Sequence, residues 1–254
     1  MGPCSLESRE IALTVAGRLR ETFDSLDSEA DLVFKGSWLK DNRTAAGSWK
    51  GPGLEEGLRI LEEVSGSFGL RVLTDVHQPD QVEPVADVVD VIQVPAFLCR
   101  QTSLLEAAGA PGLPVNVKKG QFMNPADMAG AVDKLRRAGS GSVWLTERGT
   151  FFGYGDLVVD MRSLSVMSPL ADAVILDVTH SLQKPGALGA LSGGSPEYAV
   201  NLARAGAAWG IDGVFVETHP RPSEALSDSA SMVDLDTASR LVREVLRHWE
   251  GGRE

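Results

Sequence analysis

Seven short runs of apolar and β-branched residues punctuate the chain: Leu32 to Phe34, Arg71 to Val76, Val91 to Val94, Val115 to Val117, Val143 to Leu145, Ala173 to Val178 and Gly213 to Val216. Each reads as a strand. Between them lie segments of helical period. Leu54 to Val64 carries Leu54, Leu58, Leu61 and Val64 on one stripe, and Pro125 to Ala138 opens with Asn124 as cap. Strand and helix alternate, which predicts βα units on a parallel sheet.

The polar residues narrow the fold further, because they fall at the carboxyl ends of the runs. The runs end in Lys35, in Asp75 and His77, in Lys118 and Lys119, in Glu147 and Arg148, in Thr179 and His180, and in Glu217, Thr218 and His219. Functional groups gathered on one rim are the layout of a (β/α)₈ TIM barrel. An open doubly wound sheet is the alternative, but the Gly-rich phosphate turn that often follows its first strand is not found. A closed barrel needs eight strands. Ahead of the first helix-like segment, Leu6 to Phe23, stand only Met1, Gly2, Pro3, Cys4 and Ser5, so the first strand is expected to be short or missing, with an open seam as the consequence. No linker or low-complexity tract divides the chain, which predicts one catalytic domain over residues 1–254. The Gly-rich stretch Leu182 to Ser195 reads as a mobile loop within it.

Composition removes several function classes. A formal charge of −11 argues against a nucleic-acid surface, so an anionic ligand must be met by local cations. No apolar run at the ends is long enough to span a bilayer, and the amino terminus lacks a secretory pattern, so a soluble cytoplasmic protein is expected. With Cys4 and Cys99 alone, a disulfide framework is not expected.

Two constellations could carry chemistry. Lys35, Lys40, Arg43, Lys118 and Arg148 stand on or just after the rim, and a mixed Arg and Lys set suits a ligand bearing both carboxylate and phosphate. Solvated lysines and surface ion pairs are the plain alternative for each alone. Cys4, His180, Glu217 and Asp228 supply a thiol, an imidazole and two carboxylates, with no CxxC or HExxH spacing to support a metal site. A buried free cysteine with ordinary rim polars remains open. If a metal is held there, S, N and O donors favour zinc, iron or manganese over magnesium or calcium. His77 and His219 read as hydrogen-bonded structural histidines, and Ser181 and Ser192 lack a nucleophile elbow.

Ten ordered blocks carry a family resemblance over nearly the whole chain. They are GPCSLES at Gly2 to Ser8, KDNR at Lys40 to Arg43, GPGLEEGL at Gly51 to Leu58, TDVH at Thr74 to His77 and QVPAFLCRQT at Gln93 to Thr102, then VNVKKGQF, LTERGTFFGYGDLVVDMRSL, DVTHSLQ, VETHP and ALSDSAS. The sequence resembles the 3-deoxy-D-manno-octulosonate 8-phosphate synthases of the metal-dependent class. The resemblance implies condensation of phosphoenolpyruvate with arabinose 5-phosphate and water in lipopolysaccharide biosynthesis. It implies a divalent metal held by Cys4, His180, Glu217 and Asp228, with Cys4 as class marker, since the metal-independent class has asparagine there. It also implies phosphoenolpyruvate binding by Lys35, Lys118 and Arg148, with Gln93 and Ala96 lining the pocket and Lys40 and Asn42 at the reacting centre. Arg43 and Thr44 would meet the acceptor's phosphate, and Arg100 would reach in from a neighbouring subunit of a homotetramer. The acceptor loop departs from the family pattern, with Leu39 replacing an acidic residue and Thr44 and Ala45 replacing two serines. The same reaction on erythrose 4-phosphate, as in the heptulosonate 7-phosphate synthases, is one alternative. A non-catalytic phosphosugar-binding paralogue is another.

Overall fold

A computed structural model describes residues 1–40, 49–151, 155–188 and 191–251. Its strands in chain order are β1 (Val33–Lys35), β2 (Arg71–Asp75), β3 (Val91–Val94), β4 (Pro114–Lys118), β5 (Ser142–Glu147), β6 (Thr150–Phe151), β7 (Leu157–Val158), β8 (Ala173–Asp177), β9 (Gln183–Leu188), β10 (Leu191–Gly194) and β11 (Gly213–Phe215). Seven of these, in the order β1-β2-β3-β4-β5-β8-β11, form one sheet in which every pair is parallel. They coincide with the seven apolar runs. Helices α1 (Arg9–Asp24), α2 (Leu54–Phe68), α3 (Val82–Ala86), α4 (Thr102–Gly109), α5 (Ala129–Ala138), α6 (Arg162–Met167), α7 (Ala199–Trp209) and α8 (Leu235–Gly251) alternate with them, giving the (β/α)₈ barrel. None of the helices among the described residues is long and apolar enough to cross a membrane.

Alternation along each strand sorts the two faces. Phe34, Val72, Ile92, Val115, Val117, Val143, Leu145, Val174 and Leu176 are buried in the core with helix residues such as Val15, Leu19, Leu61 and Leu104. The registers place Asp75 beside Gln93 and Phe215 beside Asp177 on the other face, which lines the barrel. Local signals set the helix starts. The Ser8 hydroxyl accepts from the Ile11 amide to open α1, and the Asn124 side chain accepts from Ala126 ahead of a short 3₁₀ turn, Pro125–Met128, that leads into α5.

The expected seam is closed by the extended segment Met1 to Leu6. Gly2 donates to the Val216 carbonyl and accepts from the Thr218 amide, while Met1, Cys4 and Ser37 carbonyls take the Lys35, Ser37 and Leu6 amides on the other side. Isolated parallel bridges, Gly2 to Glu217 and Ser5 to Ser37, mark it as the short eighth member between β11 and β1. The stretch Leu182 to Ser195, read as a mobile loop, instead contains an antiparallel ribbon of β9 and β10, because its backbone groups pair with one another: Gln183 is opposite Gly194 and Lys184 opposite Gly193. A cavity of about 810 Å³ opens at the amino ends of the strands, lined by Val33, Arg71, Ala173, Gly213 and Trp249 among others, at the end away from the rim.

Closure of the seam leaves no space at Gly2, where a Cβ would stand 2.0 Å from the Lys35 carbonyl oxygen. Gly2→Ala is therefore expected to lower the unfolding free energy by roughly 2 kcal/mol or more, as overpacking against fixed backbone does. Urea denaturation measures it, and an unchanged midpoint would contradict closure by this segment.

Candidate functional site

Side chains at and just beyond the carboxyl ends of the strands build a charged cluster that has little contact with solvent. Lys35, Lys118, Asp177 and Glu217 are buried, and they form two ion pairs of opposite sign at the barrel mouth. Lys35 Nζ donates to the Glu217 carboxylate at 2.9 Å and to the Cys4 carbonyl at 3.0 Å. Lys40 Nζ lies 3.9 Å from the same Glu217 oxygen. Across the mouth Lys118 Nζ donates to Asp177 at 2.6 Å and sits 3.4 Å from the centre of the Phe215 ring, a cation–π contact that helps hold an ammonium away from water. Asp177 also accepts from the Thr179 amide and hydroxyl, the His180 amide and the His180 ring.

These pairings set the protonation states. Burial opposes the charge on Glu217, but His180, Lys35, Lys40 and Lys118 hold its pKa well below the usual carboxylate range. Asp177 is held low in the same way by His180 and Lys118. Lys40 is pushed up because Cys4, Glu217, Asp228 and Asp75 outweigh its burial, so it stays an ammonium. Burial lowers the Lys118 pKa, with Asp177 opposing.

The same cluster contains a donor set suited to a metal. Ligand atoms of Cys4, Glu217 and Asp228 lie within 4.8 Å of one another. His180 extends this trio: its Nδ1 is engaged by Asp177 at 2.7 Å, which leaves Nε2 facing Glu217 Oε2 at 3.5 Å. That carboxylate oxygen is buried and has no hydrogen-bond partner among the described residues. A carboxylate that orients an imidazole through its far nitrogen is the usual support for a metal-binding histidine. The Cys4 thiol points at Asp228 Oδ2, 3.0 Å away, and its pKa is raised by burial, then by Asp228 and Glu217. Asp228 adopts φ 48, a left-handed backbone uncommon outside glycine that is often found where a site imposes it. The residues present fit a divalent ion with S, N and O ligands.

Around this cluster stand further predicted residues. Arg148 is buried, with one terminal nitrogen on Gln183 and the other unpartnered among the described residues. Gln93 is buried with an unpartnered Oε1, and Ala96 is buried in the 3₁₀ turn after Pro95. Arg100 is exposed, and its carbonyl accepts from Lys134 of α5 at 3.5 Å. Asn42, Arg43 and Thr44, expected on the acceptor loop, lie outside the described residues. His77 pairs with Asp75 at 3.2 Å and His219 accepts from the Arg221 amide, and each ring keeps one buried nitrogen without a hydrogen-bond partner among the described residues. Sequence reasoning missed Asp177, Phe215 and Gln183. An acid at the end of an apolar strand was the available signal for Asp177.

The depressed carboxylates give stability a defined pH dependence. Asp177 and Glu217 titrate lower in the folded protein than unfolded, so their contribution is present above about pH 4 and lost as pH falls through and below that value. In metal-free protein, Asp177→Asn should cost about 3 kcal/mol at neutral pH by stranding Lys118, and should show a shallower loss of stability between about pH 5 and 3. Denaturant titrations at several pH values check this, and an unchanged acid slope would count against the pairing.

Comparison with known proteins follows the same outline. A family model described as the DAHP synthetase I family matches residues 1–249. The chain is similar to the 2-dehydro-3-deoxyphosphooctonate aldolase of Nitratidesulfovibrio vulgaris (strain DP4), at 50% identity over 98% of this chain and 90% of that one. It is also similar to proteins of that name from Desulfatibacillum aliphaticivorans, at 48% over 96% and 89%, and from Campylobacter jejuni subsp. doylei, at 48% over 96% and 95%. With the family model matching residues 1–249 and relatives about 50% identical over nearly the whole chain, the chain belongs to the DAHP synthetase I family.

Proposed function

We propose that this protein condenses phosphoenolpyruvate with arabinose 5-phosphate and water to give 3-deoxy-D-manno-octulosonate 8-phosphate and inorganic phosphate. The observation that carries the reading is the convergence of Lys35, Lys118 and Arg148, three buried cations, beside the Cys4, Glu217 and Asp228 cluster. The name borne by the relatives supports the acceptor, since an octonate requires five carbons added to the three of phosphoenolpyruvate.

Lys35, Lys118 and Arg148 would hold the carboxylate and phosphate of phosphoenolpyruvate, with the free nitrogen of Arg148 turned to the ligand and Gln93 and Ala96 lining the pocket. Carbon 3 then adds to the aldehyde as water adds to carbon 2, and the tetrahedral intermediate expels phosphate by C–O cleavage. Positive charge developing at carbon 2 is offset by the bound anionic groups, which the fixed cations keep in place. Lys40 remains protonated beside Glu217, so it serves as a charge or proton donor at the reacting centre and not as a base. By the family resemblance Asn42 would act there too, and Arg43 and Thr44 would take the acceptor's phosphate. Cys4, His180, Glu217 and Asp228 would hold a zinc, iron or manganese ion, which when bound supplies Lewis acidity toward the aldehyde or the water. Asp177 keeps the His180 ring turned for that task.

The assembly we propose is a homotetramer in which Arg100 of one subunit completes a neighbour's site. Exposed Phe97, Phe122 and Phe151 support it. They lie near one another, the Phe122 ring beside Gly120 and the Ala96 carbonyl and the Phe151 amide on Gln121. The free Cys4 and Cys99 accord with action in the cytoplasm.

Phosphate release from phosphoenolpyruvate should require arabinose 5-phosphate and should not be supported by erythrose 4-phosphate. Turnover with the four-carbon sugar alone would move the assignment to the heptulosonate reaction, and turnover with neither would favour a binding paralogue. Lys118→Ala and Arg148→Ala should each lower kcat/KM by about 100-fold or more. Titrating Zn²⁺ into weakly buffered metal-free protein at pH 7 should release about one proton more from the wild type than from Cys4→Ala, because the thiol must ionise to bind. Equal release from both would remove Cys4 from the ligand set.

A further inference from the structure

One amide joins the anion-binding half of the site to the metal-type half. Gln183 is 9% exposed and opens β9 at the foot of the ribbon. Its Oε1 accepts from an Arg148 terminal nitrogen at 3.1 Å, and its Nε2 donates to Asp228 Oδ1 at 3.0 Å, with Ser231 Oγ at 3.5 Å. A guanidinium only donates and a carboxylate only accepts, so the amide has a single orientation that satisfies both. Few side chains could replace it. A carboxylate would accept from Arg148 but confront Asp228, and an apolar side chain would do neither.

The backbone holds the same three parts together. Gln183 pairs with Gly194 across the ribbon, and a Cβ on Gly194 would fall 2.4 Å from the Ala230 carbonyl oxygen, so the ribbon foot rests on the turn carrying Asp228. Asp228 is the residue whose left-handed backbone must be maintained. Its other oxygen takes the Cys4 thiol, so the Gln183 contact fixes how the carboxylate faces Cys4.

We propose that Gln183 is a positioning residue that couples the two ligands: a metal ordering Asp228 orders Arg148 through the amide, and phosphoenolpyruvate ordering Arg148 does the reverse. The inference rests on the functional reading above. Coupling of this kind is reciprocal and typically amounts to between about 5-fold and 150-fold in affinity. A polarised run from guanidinium through amide to carboxylate is a direct route for it.

The test measures the Mn²⁺ dissociation constant of metal-free, full-length protein by electron paramagnetic resonance of free Mn²⁺, with and without phosphoenolpyruvate. Phosphoenolpyruvate affinity is measured in turn with and without Mn²⁺. Wild type should bind Mn²⁺ about 10-fold more tightly with phosphoenolpyruvate present. Gln183→Met, similar in length but unable to bond, and Gln183→Glu, which keeps the acceptor for Arg148 and loses the donor to Asp228, should both reduce that factor to about 1. Circular dichroism confirms that at least one variant is folded. Wild type that binds both ligands without linkage, or a folded variant that keeps the full linkage, overturns the inference and leaves the functional reading standing. Wild type that binds neither ligand overturns both.

Discussion

Glu217 is a buried carboxylate with Lys35 at 2.9 Å, Lys40 at 3.9 Å and the His180 ring at 3.5 Å. Removing so many charges from water costs several kcal/mol for each ion unless opposite charges and hydrogen bonds meet it. That constraint shapes the whole rim. The buried lysines there face anions, Lys35 with Glu217 and Lys118 with Asp177, and the ends of β1 and β11, and of β4 and β8, must be held at the rim for the pairs to form. The pairings are incomplete in an informative way. One Glu217 oxygen, one Arg148 nitrogen and the Gln93 oxygen are buried without partners among the described residues, and such groups are costly unless something meets them. The Glu217 oxygen is an atom a metal would contact, and the Arg148 nitrogen one that a multiply anionic substrate would contact.

The same electrostatics explains how a chain of net charge −11 can take an anionic substrate. Local field, not overall charge, decides binding inside a mouth of low dielectric. Phe215 contributes to this by offering its ring to Lys118 in place of water. Asp177 anchors Lys118 and fixes the His180 ring, so one carboxylate orients a group in each half of the site.

The barrel was legible because its seven runs are apolar on the face that packs against helices and six of them end in polar or charged residues. Val115, Val117 and Lys118 illustrate both properties in a single strand. The closing segment was not legible, since Met1 to Ser5 is too short and irregular to show a period, and its role comes from bonds to Val216, Thr218 and Lys35 that are distant in sequence. The β9–β10 ribbon was hidden by glycines, which lower strand propensity while permitting the close approach seen at Gly194. Of the site, Cys4, His180, Glu217, Lys35, Lys118 and Arg148 could be named from rim position and family motifs. Asp177 was within reach only as an acid closing an apolar strand and Gln183 not at all, because their importance lies in the partners they orient. Asn42, Arg43 and Thr44 remain sequence-based expectations.

The account turns on whether the thiol of Cys4 and the side chains around it converge on one ion. X-ray absorption at the metal edge of the purified, metal-loaded protein tests this directly. It should reveal one sulfur neighbour at about 2.3 Å together with nitrogen and oxygen neighbours near 2.0–2.2 Å if zinc is bound. A shell of oxygen and nitrogen alone, unchanged when Cys4 is replaced, would contradict the account.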